Sequence, residues 1–544
     1  MIELRNGRIC DPTHPLNGQI ASLFIQGDRF ASSPAKPCEK VIQLDGSLVL
    51  AGGIDIHTHI GGGKVNLARL LMSKTLARQD KVVWPTTQTG LMYAKMGYTA
   101  CFEPAMLLSS ARHTHAELAD TPALDHGAYV VLGNEDWLLP ALNDVRCEDQ
   151  VLETLIAWSM RASRAIAVKS VNPAGISAFK FNQRKLDVDL PHSQYGVSPR
   201  TVIRRLAGAI DNIGLAHPLH LHASNLGMPG NIDSTIASLE AVEGHRLHLT
   251  HAQFHCYTNT GKLGMGSGAE RLARYINEHP NITLDVGQIH FGQTITISAD
   301  TMAQYRNAQH ANPNTPLIID HECLAGCGVV PINYQDKHYV HSLQWTIGLE
   351  LMLLVEDPWR IFLTTDHPNG GPFTAYPHLM RLLMDKAFRL SMLERIHPLA
   401  AANSLLRELD REYTLDEMVI VTRAAPARIL GLHDLGTLRD GAQASLAVYP
   451  QRDDWETTFG QAAYVMKSGQ IVVENNKLQN LEPSRQRWIA EPNFDQLIFR
   501  YWQSSIEQKL RIPVQQLEIG NEELDLLGLD SQKVNRLPER SHHA

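Results

Sequence analysis

Two histidines one residue apart, His57 and His59, follow a short apolar run and precede three glycines at 61–63. On a β-strand, side chains two residues apart point to the same face, so this pair would present two imidazoles to one ion. Histidine is the commonest metal ligand, and glycine lets the backbone turn sharply beside an ion. The spacing therefore predicts a metal site. The alternative is a pair of hydrogen-bonded histidines that hold no metal.

The elements that must position these histidines are eight short apolar runs that end in polar residues, separated by stretches of helical or loop character. Strands that alternate with helices in this way are typical of a (β/α)8 barrel, whose chemistry gathers at the carboxyl ends of its strands. The predicted strands cover residues 48–59, 98–103, 128–134, 165–172, 218–222, 247–251, 282–288 and 361–366. The polar residues at their ends are His57, His59, Glu103, Asn134, Lys169, Asn172, His222, His251 and Asp366. The sequence therefore predicts an α/β fold with a TIM-like barrel and polar side chains at one mouth.

Imidazoles and a carboxylate with open positions for water are what a pair of zinc ions needs. The candidate ligands are His57, His59, His222, His251 and Asp366. A second metal ion also needs a bridging anion, and a lysine that reacts with carbon dioxide to form a carbamate can supply one. Lys169, in an uninterrupted predicted strand, and Lys180, beyond a break at Gly175, both compete for this role.

Two bound zinc ions would lower the pKa of a coordinated water to near neutrality and make it a nucleophile. Asp366 would take the proton of that water and return it to the leaving amine. Asn172 would stabilise the carbonyl oxygen of the tetrahedral intermediate, and Glu103 and Asn134 would orient ligands from behind. The expected reaction is hydrolysis of an amide-like C–N bond.

The rest of the chain predicts two further units. Short alternating segments at both ends predict one small β domain formed by residues 1–50 and 430–480, with the barrel over 51–429. Thr414 and Glu417 form a capping box that opens a helix through Ala427. Apolar residues at helical spacing near 494–501 predict a C-terminal helical extension over 481–544, docked on its own barrel or on a partner subunit. The long insert at 292–359 predicts a lid or a subunit interface.

Composition excludes several classes of protein. Of the 544 residues, 19% are charged and 44% apolar, which is ordinary for a globular enzyme. The net charge of −8 and the lack of long basic runs argue against nucleic acid or an anionic membrane as a partner. The seven cysteines are scattered and include no Cys-x-x-Cys pair, so neither a disulfide framework nor an iron-sulfur cluster is expected. With no signal segment and no run of 18 apolar residues, a cytoplasmic protein is expected.

Two smaller groups are weaker candidates. His113, His115 and His126 cluster around the region after the second predicted strand, and we expect them to line the barrel mouth or to hold loops. Cys323 and Cys327 in the insert would share one face of a helix, which is weak evidence for a metal site.

Several short sequence motifs, in a fixed order, make the chain resemble a known family. The motif GIDIHTH at 53–59 is similar to the amidohydrolase superfamily. Seven further motifs resemble the A subunit of formylmethanofuran dehydrogenase: GGKVN (62–66), ARHTH (111–115), KSVNPAG (169–175), HLH (220–222), THAQFH (250–255), DVGQ (285–288) and LTTDHPN (363–369). The resemblance runs over residues 1–475. It favours Lys169 over Lys180 as the carboxylated lysine that bridges two zinc ions. It also implies that His57, His59, Lys169, His222 and Asp366 are metal or catalytic positions, with His251 a further ligand.

The departures from the family pattern lie away from these residues. Ala51 stands where the family has proline, Ser445 replaces an acidic residue, and the segment after Gly175 and the tail after residue 475 differ. They point toward the bacterial relatives, in which the A subunit belongs to a formyltransferase/hydrolase complex of methylotrophs. The resemblance then implies hydrolysis of an N-formyl group on a methanofuran-like carrier to formate, in tetrahydromethanopterin-linked formaldehyde oxidation, with a formyltransferase among the partner subunits. The alternatives are a subunit of an archaeal-type dehydrogenase, a cyclic-amide hydrolase such as a dihydroorotase or hydantoinase, and an inactive scaffold protein of the complex.

Overall fold

Eight parallel strands follow one another around the core of the molecule in chain order. The computed structural model describes residues 1–33, 37–63, 65–66, 68–69, 83–183, 187–298, 318–319, 328–479 and 485–534. The eight barrel strands are Gly53–Asp55, Tyr98–Met106, Asp125–Val131, Ala167–Val171, Leu219–His222, Leu247–Leu249, Ile282–Asp285 and Ile361–Phe362. Each pairs in parallel with the next. A parallel bridge between Thr58 and His367 joins the segments after the first and eighth strands, which confirms the predicted barrel fold.

Helices surround this sheet, and two of the helix starts carry side-chain caps that can be read from the sequence. The longer helices are Thr86–Lys95, Ala111–Ala119, Asp149–Ser163, Pro199–Asn212, Asn231–Glu240, Ala269–Glu278, Tyr339–Leu354, Tyr376–Met384 and Lys386–Leu393. Ser198 caps one of them by accepting a hydrogen bond from the amide of Thr201. The predicted capping box is present, and helix Leu415–Val419 continues through a π-helical segment into Ala425–Ile429.

The single strand predicted over residues 48–59 is wrong, because the structure divides it into two. Leu48–Ala51 belongs to the small sheet, where it pairs with Ile2–Ile9 and Leu446–Tyr449. Gly53–Asp55 starts the barrel, and the two histidines lie after its end. Gly52 and Gly53 mark the change of sheet, because a Cβ there would fall within 3.0 Å of the side chains of Thr99 and Tyr98.

The small sheet has nine strands and joins the two ends of the predicted composite domain. Its strands are Ile2–Ile9, Ile20–Gln26, Arg29–Ala31, Lys40–Gln43, Leu48–Ala51, Leu446–Tyr449, Tyr464–Lys467, Gln470–Glu474 and Lys477–Leu478. The contact between Leu48–Ala51 and Leu446–Tyr449 is antiparallel and fully buried, and it makes the small sheet continuous across the two halves of the chain.

The C-terminal segment docks on its own barrel. Strand Gln486–Ile489 lies beside the third barrel strand, and Asp530–Lys533 pairs with it in turn. On helix Gln496–Leu510, Trp502 donates a 2.8 Å hydrogen bond to the Val151 carbonyl, and Phe499 stacks on Trp158 with ring centroids 4.5 Å apart. The extension therefore contains two strands besides its helices Gln496–Leu510 and Asn521–Asp525.

The predicted insert lies partly outside the described residues. Its described strands Gly292–Ser298, Ile318–Ile319 and Gly328–Tyr334 form an antiparallel sheet, and Tyr339–Leu354 is a buried helix on the barrel. Cys323 and Cys327 lie outside the described residues. Among the helices described, none is long and apolar enough to cross a membrane.

A buried ion pair connects the small sheet, the barrel and the C-terminal strand. Lys467 Nζ lies 2.9 Å from Asp125 Oδ1, and both side chains are at most 1% exposed. The same oxygen accepts a 2.7 Å hydrogen bond from the amide of Gln486. Loss of the lysine would leave a buried carboxylate without its counter-charge, which is costly.

Replacing Lys467 with methionine is therefore expected to lower the free energy of unfolding by about 3–5 kcal/mol. Urea unfolding of the full-length chain measures this. Lys40→Met is the matched control, because Lys40 and Glu474 form an exposed pair at 3.2 Å, and a surface pair contributes about 1 kcal/mol or less. Equal losses in the two variants would contradict the expectation.

Candidate active site

His57 is buried at the centre of the predicted ligand set, and its two ring nitrogens have different surroundings. Nδ1 lies 2.9 Å from His220 Nε2 and 3.4 Å from Asp285 Oδ2, inside the barrel. Nε2 lies 2.9 Å from Asp366 Oδ1 and 3.5 Å from Lys169 Nζ. One nitrogen is thus held by neighbouring strands, which leaves the other to face the strand ends where a metal ion would bind.

Asp366 follows the eighth strand and brings a carboxylate to both histidines of the first strand. Its Oδ1 lies 2.9 Å from His57 Nε2 and 3.4 Å from His59 Nε2. Burial raises the pKa of Asp366, but the nearby His57 and His251 outweigh burial and hold that pKa well below its usual range. Asp366 is therefore an anion at neutral pH, as a metal ligand or a proton acceptor must be.

The donor atoms of His57, His251 and Asp366 all lie within 4.8 Å of one another. Within the described part of the chain, His251 Nδ1 and Asp366 Oδ1 are buried atoms with no hydrogen-bond partner of acceptable geometry. Buried polar atoms that converge without bonding to each other are typical of a metal site. The donor set of imidazoles and a carboxylate fits zinc.

A second group of donors adjoins the first. His222, His251 and His255 also place ring nitrogens within 4.8 Å of one another. The ring centroids of His222 and His251 are 4.6 Å apart, so the predicted ligands from the fifth and sixth strands lie side by side. His251 belongs to both groups, so the two groups of donor atoms adjoin each other.

The structure separates the two competing lysines. Lys169 is buried on the fourth strand, and its Nζ reaches His57. Lys180 is 36% exposed at its side chain and lies 3.5 Å from Asp136. Of these two, Lys169 lies within the candidate ligand set.

Glu103, in the second strand, lies behind His59. Its Oε1 lies 2.8 Å from His59 Nδ1, while Oε2 accepts a 2.9 Å hydrogen bond from the amide of Ile60. Burial lowers the pKa of His59, but the charges and hydrogen bonds of Glu103 and Asp366 together outweigh burial and raise that pKa. The carboxylate thus orients the imidazole and directs its other nitrogen toward Asp366.

Glu103→Gln is expected to weaken metal binding by about 10- to 100-fold, because the amide removes the charge that orients His59. Competition with a chelator measures the change. Glu135→Gln is the matched control: Glu135 is half-buried, and its Oε2 accepts hydrogen bonds from the backbone amides of Gly133 and Asn134 rather than from a histidine. Equal metal affinity in the two variants would contradict a role for Glu103 in orienting His59.

Asn134 and Asn172 shape the loop after the fourth strand. Asn134 donates to the Val171 carbonyl and accepts from the amides of Ile176 and Ser177. Asn172 has a positive φ of 42°, and its backbone N–H donates a 2.8 Å hydrogen bond to the His222 carbonyl. The Asn134 side chain bonds to backbone groups, so it positions the loop rather than a ligand. Asn172, by contrast, lies next to the candidate ligand His222.

Sequence reasoning missed the residues inside the barrel that hold His57. His217 Nε2 lies 3.0 Å from His220 Nδ1, and His248 Nε2 lies 3.0 Å from Asp285 Oδ2. Burial, with the neighbouring charges of His248 and His57, lowers the pKa of His220 well below its usual value, so its ring is neutral. The alternation of His220 with His222 on one strand was the available signal, because residues two apart share a face.

Asp55 was also missed, and it supports the loop that carries the two histidines. It is buried, it accepts hydrogen bonds from the hydroxyls of Tyr93 and Tyr376, and its Oδ1 accepts a 3.1 Å bond from the amide of His57. Burial raises its pKa to about 6. The aspartate in the word DIHTH therefore shapes the backbone at His57.

Residues 40–473 match the amidohydrolase family. The chain belongs to this family. It is therefore an amidohydrolase-type enzyme, as the sequence predicted, and its barrel is the fold of this family.

Two curated amidohydrolase relatives cover most of the chain. One is the A subunit of the formyltransferase/hydrolase complex Fhc of Methylorubrum extorquens, 40% identical over 88% of this chain and 89% of the relative. The other is protein FwdA of Methanocaldococcus jannaschii, 34% identical over 87% of this chain and 88% of the relative. The resemblance that the sequence predicted is confirmed.

Two solved structures have folds similar to that of this chain. A chain in the crystal structure of the formyltransferase/hydrolase complex from Methylorubrum extorquens with methylofuran superposes with a TM-score of 0.91 and 36% identity, over 98% of this chain and 99% of that one. N-acyl-D-glutamate deacylase from Bordetella bronchiseptica superposes with a TM-score of 0.51 at 16% identity, over 89% of this chain and 98% of that one, which shows the shared fold.

Proposed function

We propose that this amidohydrolase is the hydrolytic subunit of a formyltransferase/hydrolase complex. It releases formate from the N-formyl group of a methanofuran-like carrier, methylofuran, in the tetrahydromethanopterin-linked oxidation of formaldehyde by a methylotrophic bacterium. A formyltransferase is among its partners. The observation that carries this proposal is the near-complete superposition on a chain of a complex crystallised with methylofuran.

The proposed metal ligands come from five barrel strands. They are His57, His59, Lys169, His222, His251 and Asp366, with Lys169 carboxylated as the bridge between two zinc ions. The convergent, buried donor atoms of His57, His251 and Asp366 support this assignment. Zinc held by these residues would supply a nucleophilic water at neutral pH and would polarise the carbonyl oxygen of the formyl amide.

The chain's own residues supply the proton chemistry and the geometry. Asp366, held as an anion, accepts a proton at Oδ1 during attack and delivers it to the leaving amine nitrogen. Glu103 fixes the ring of His59. Asn172, next to His222, donates a hydrogen bond to the substrate oxygen, and Asn134 holds the loop that carries Asn172.

The hydrolytic site would be the same in two physiological settings, the bacterial complex proposed above and an archaeal-type dehydrogenase. In an archaeal-type formylmethanofuran dehydrogenase the same subunit works beside a molybdenum or tungsten protein, and the 34% identity to FwdA favours common chemistry. The higher identity to the Fhc relative favours the bacterial setting. Purifying the chain with its native partners and measuring molybdenum and tungsten separates the two.

The direct test is formate release from an N-formyl furfurylamine carrier by the purified complex. We expect turnover that is lost after chelation and restored by zinc, with no ring opening of dihydroorotate or hydantoin. Ring opening by the chain alone would favour a cyclic-amide hydrolase. Less than one zinc per chain, together with unchanged turnover in His57→Ala, would establish a scaffold role and overturn the proposal.

A further inference from the structure

A buried arginine lies on the outer face of the barrel sheet, at the end opposite to the candidate active site. Arg487 is 0% exposed and belongs to the strand Gln486–Ile489. It pairs in register with His126, near the amino end of the third barrel strand. The catalytic candidates lie at the carboxyl ends, so this group is separate from them.

The guanidinium of Arg487 makes a 3.3 Å hydrogen bond from Nη1 to Ser531 Oγ. Over the described ranges, Nε and Nη2 have no hydrogen-bond partner and the side chain has no ion pair. Nε and Nη2 form one edge of the planar guanidinium, with two parallel N–H groups. That edge matches the two oxygens of a carboxylate or phosphate, which it binds in bidentate fashion.

Two histidines lie beside this arginine. His126 is 1% exposed, and neither of its ring nitrogens bonds to any described residue. His115 is 0% exposed; its Nε2 lies 2.8 Å from the Ser163 carbonyl and donates to it, so its Nδ1 carries the lone pair. Of the two predicted roles, a place at the barrel mouth is wrong for His126, because this residue lies near the amino end of the third strand.

Burial and the charge of Arg164 lower the pKa of Arg487 to about 10, although the charge of Asp525 raises it. Over the described ranges Arg487 forms no ion pair with Asp525, so its charge is not balanced by direct contact. Burial, then the charges of Arg487 and His115, lower the pKa of His126 well below its usual value. The nearby Arg164 is already paired with Glu491 at 2.6 Å. A guanidinium in this position gains from a bound anion, because a buried charge without a partner is disfavoured.

We propose that Arg487 and His126 form a structural site for one small oxyanion, either a short carboxylate or a tetrahedral oxyanion. The Nε and Nη2 edge of Arg487 binds two oxygens, and His126 donates a third hydrogen bond from one ring nitrogen. The anion binds the C-terminal strand to the third barrel strand and neutralises the buried cation. Its size is small because both side chains are fully buried.

The test is thermal unfolding of the full-length chain in chloride buffer, with formate, acetate, phosphate or sulfate added at constant ionic strength. The proposal expects a saturable rise in the unfolding midpoint of about 2 °C or more with at least one of these anions. A rise with formate or acetate indicates a carboxylate site. A rise with phosphate or sulfate indicates a site for a tetrahedral oxyanion.

Arg487→Gln is expected to lose this rise. Arg389→Gln is the matched control, since Arg389 is also fully buried but donates to the carbonyls of Leu382 and Arg411. The same rise in wild type and Arg487→Gln would overturn the proposal.

Crystallography of the wild-type chain keeps the proposal falsifiable if Arg487→Gln does not fold. Crystals grown with selenate in place of sulfate, and crystals grown with formate, are compared at Arg487. Anomalous selenium density, or planar carboxylate density, on the Nε and Nη2 edge supports the site. Ordered water alone in both crystals overturns it.

Discussion

Replacing Asp366 with asparagine is expected to lower kcat for formate release by about 10²- to 10⁴-fold. Asparagine has the same shape but cannot accept a proton, and it lacks the charge that faces His57 and His59 at 2.9 and 3.4 Å. The measurement is formate production by the purified complex, with zinc content determined on the same samples. Zinc content separates loss of proton transfer from loss of metal.

Asp385→Asn is the control for this substitution. Asp385 caps the helix Lys386–Leu393 by accepting a hydrogen bond from the amide of Phe388, and asparagine caps a helix equally well. We expect its kcat to match that of the wild type. Activity of Asp366→Asn within about threefold of the wild type would exclude Asp366 as the proton acceptor.

The second large effect is expected for Lys169→Ala. If Lys169 carries the bridging carbamate, alanine removes the bridge, lowers the zinc content below two ions per chain and reduces kcat by about 10²- to 10³-fold. Added acetate is expected to restore part of the activity, because a small carboxylate can occupy the space that the lysine leaves. Metal analysis and formate release, with and without acetate, measure these changes.

Lys180→Ala is the matched control, because Lys180 was the competing lysine and its side chain lies at the surface near Asp136. It is expected to keep full zinc content and activity. Normal zinc content and activity in Lys169→Ala would remove the carbamate from the mechanism. So would a crystal structure with an unmodified Lys169 in enzyme that is active without bicarbonate.

Much of the barrel could be predicted, because the information is local. Apolar runs of five to twelve residues with polar ends mark the eight strands, and all eight predicted segments overlap an observed one. The capping box at Thr414 likewise acts within three residues. Strand boundaries were less predictable: the run at 48–59 contains two strands because Gly52 and Gly53 transfer the chain from one sheet to the other.

The candidate site was predicted in part. The positions of the strand ends identified His57, Lys169 and Asp366 as residues of one mouth, but the residues alone did not separate Lys169 from Lys180. The alternation argument for the histidine pair holds less well, since both histidines lie past the end of their strand and Asp55 shapes the backbone there. Their convergence depends on the closure of the barrel beside His367.

The sequence by itself thus determined that this chain has a barrel with a histidine and aspartate cluster at one mouth. This was possible because the spacing of apolar residues and the position of polar residues at strand ends are properties of short segments. Only the tertiary structure decided which side chains meet. His57 contacts Lys169 and His220, which are 112 and 163 residues away, and His126 lies beside Arg487 at the opposite end. Such contacts depend on strand order and register, which bring distant segments together. The local sequence of one segment does not indicate which distant segment it will contact.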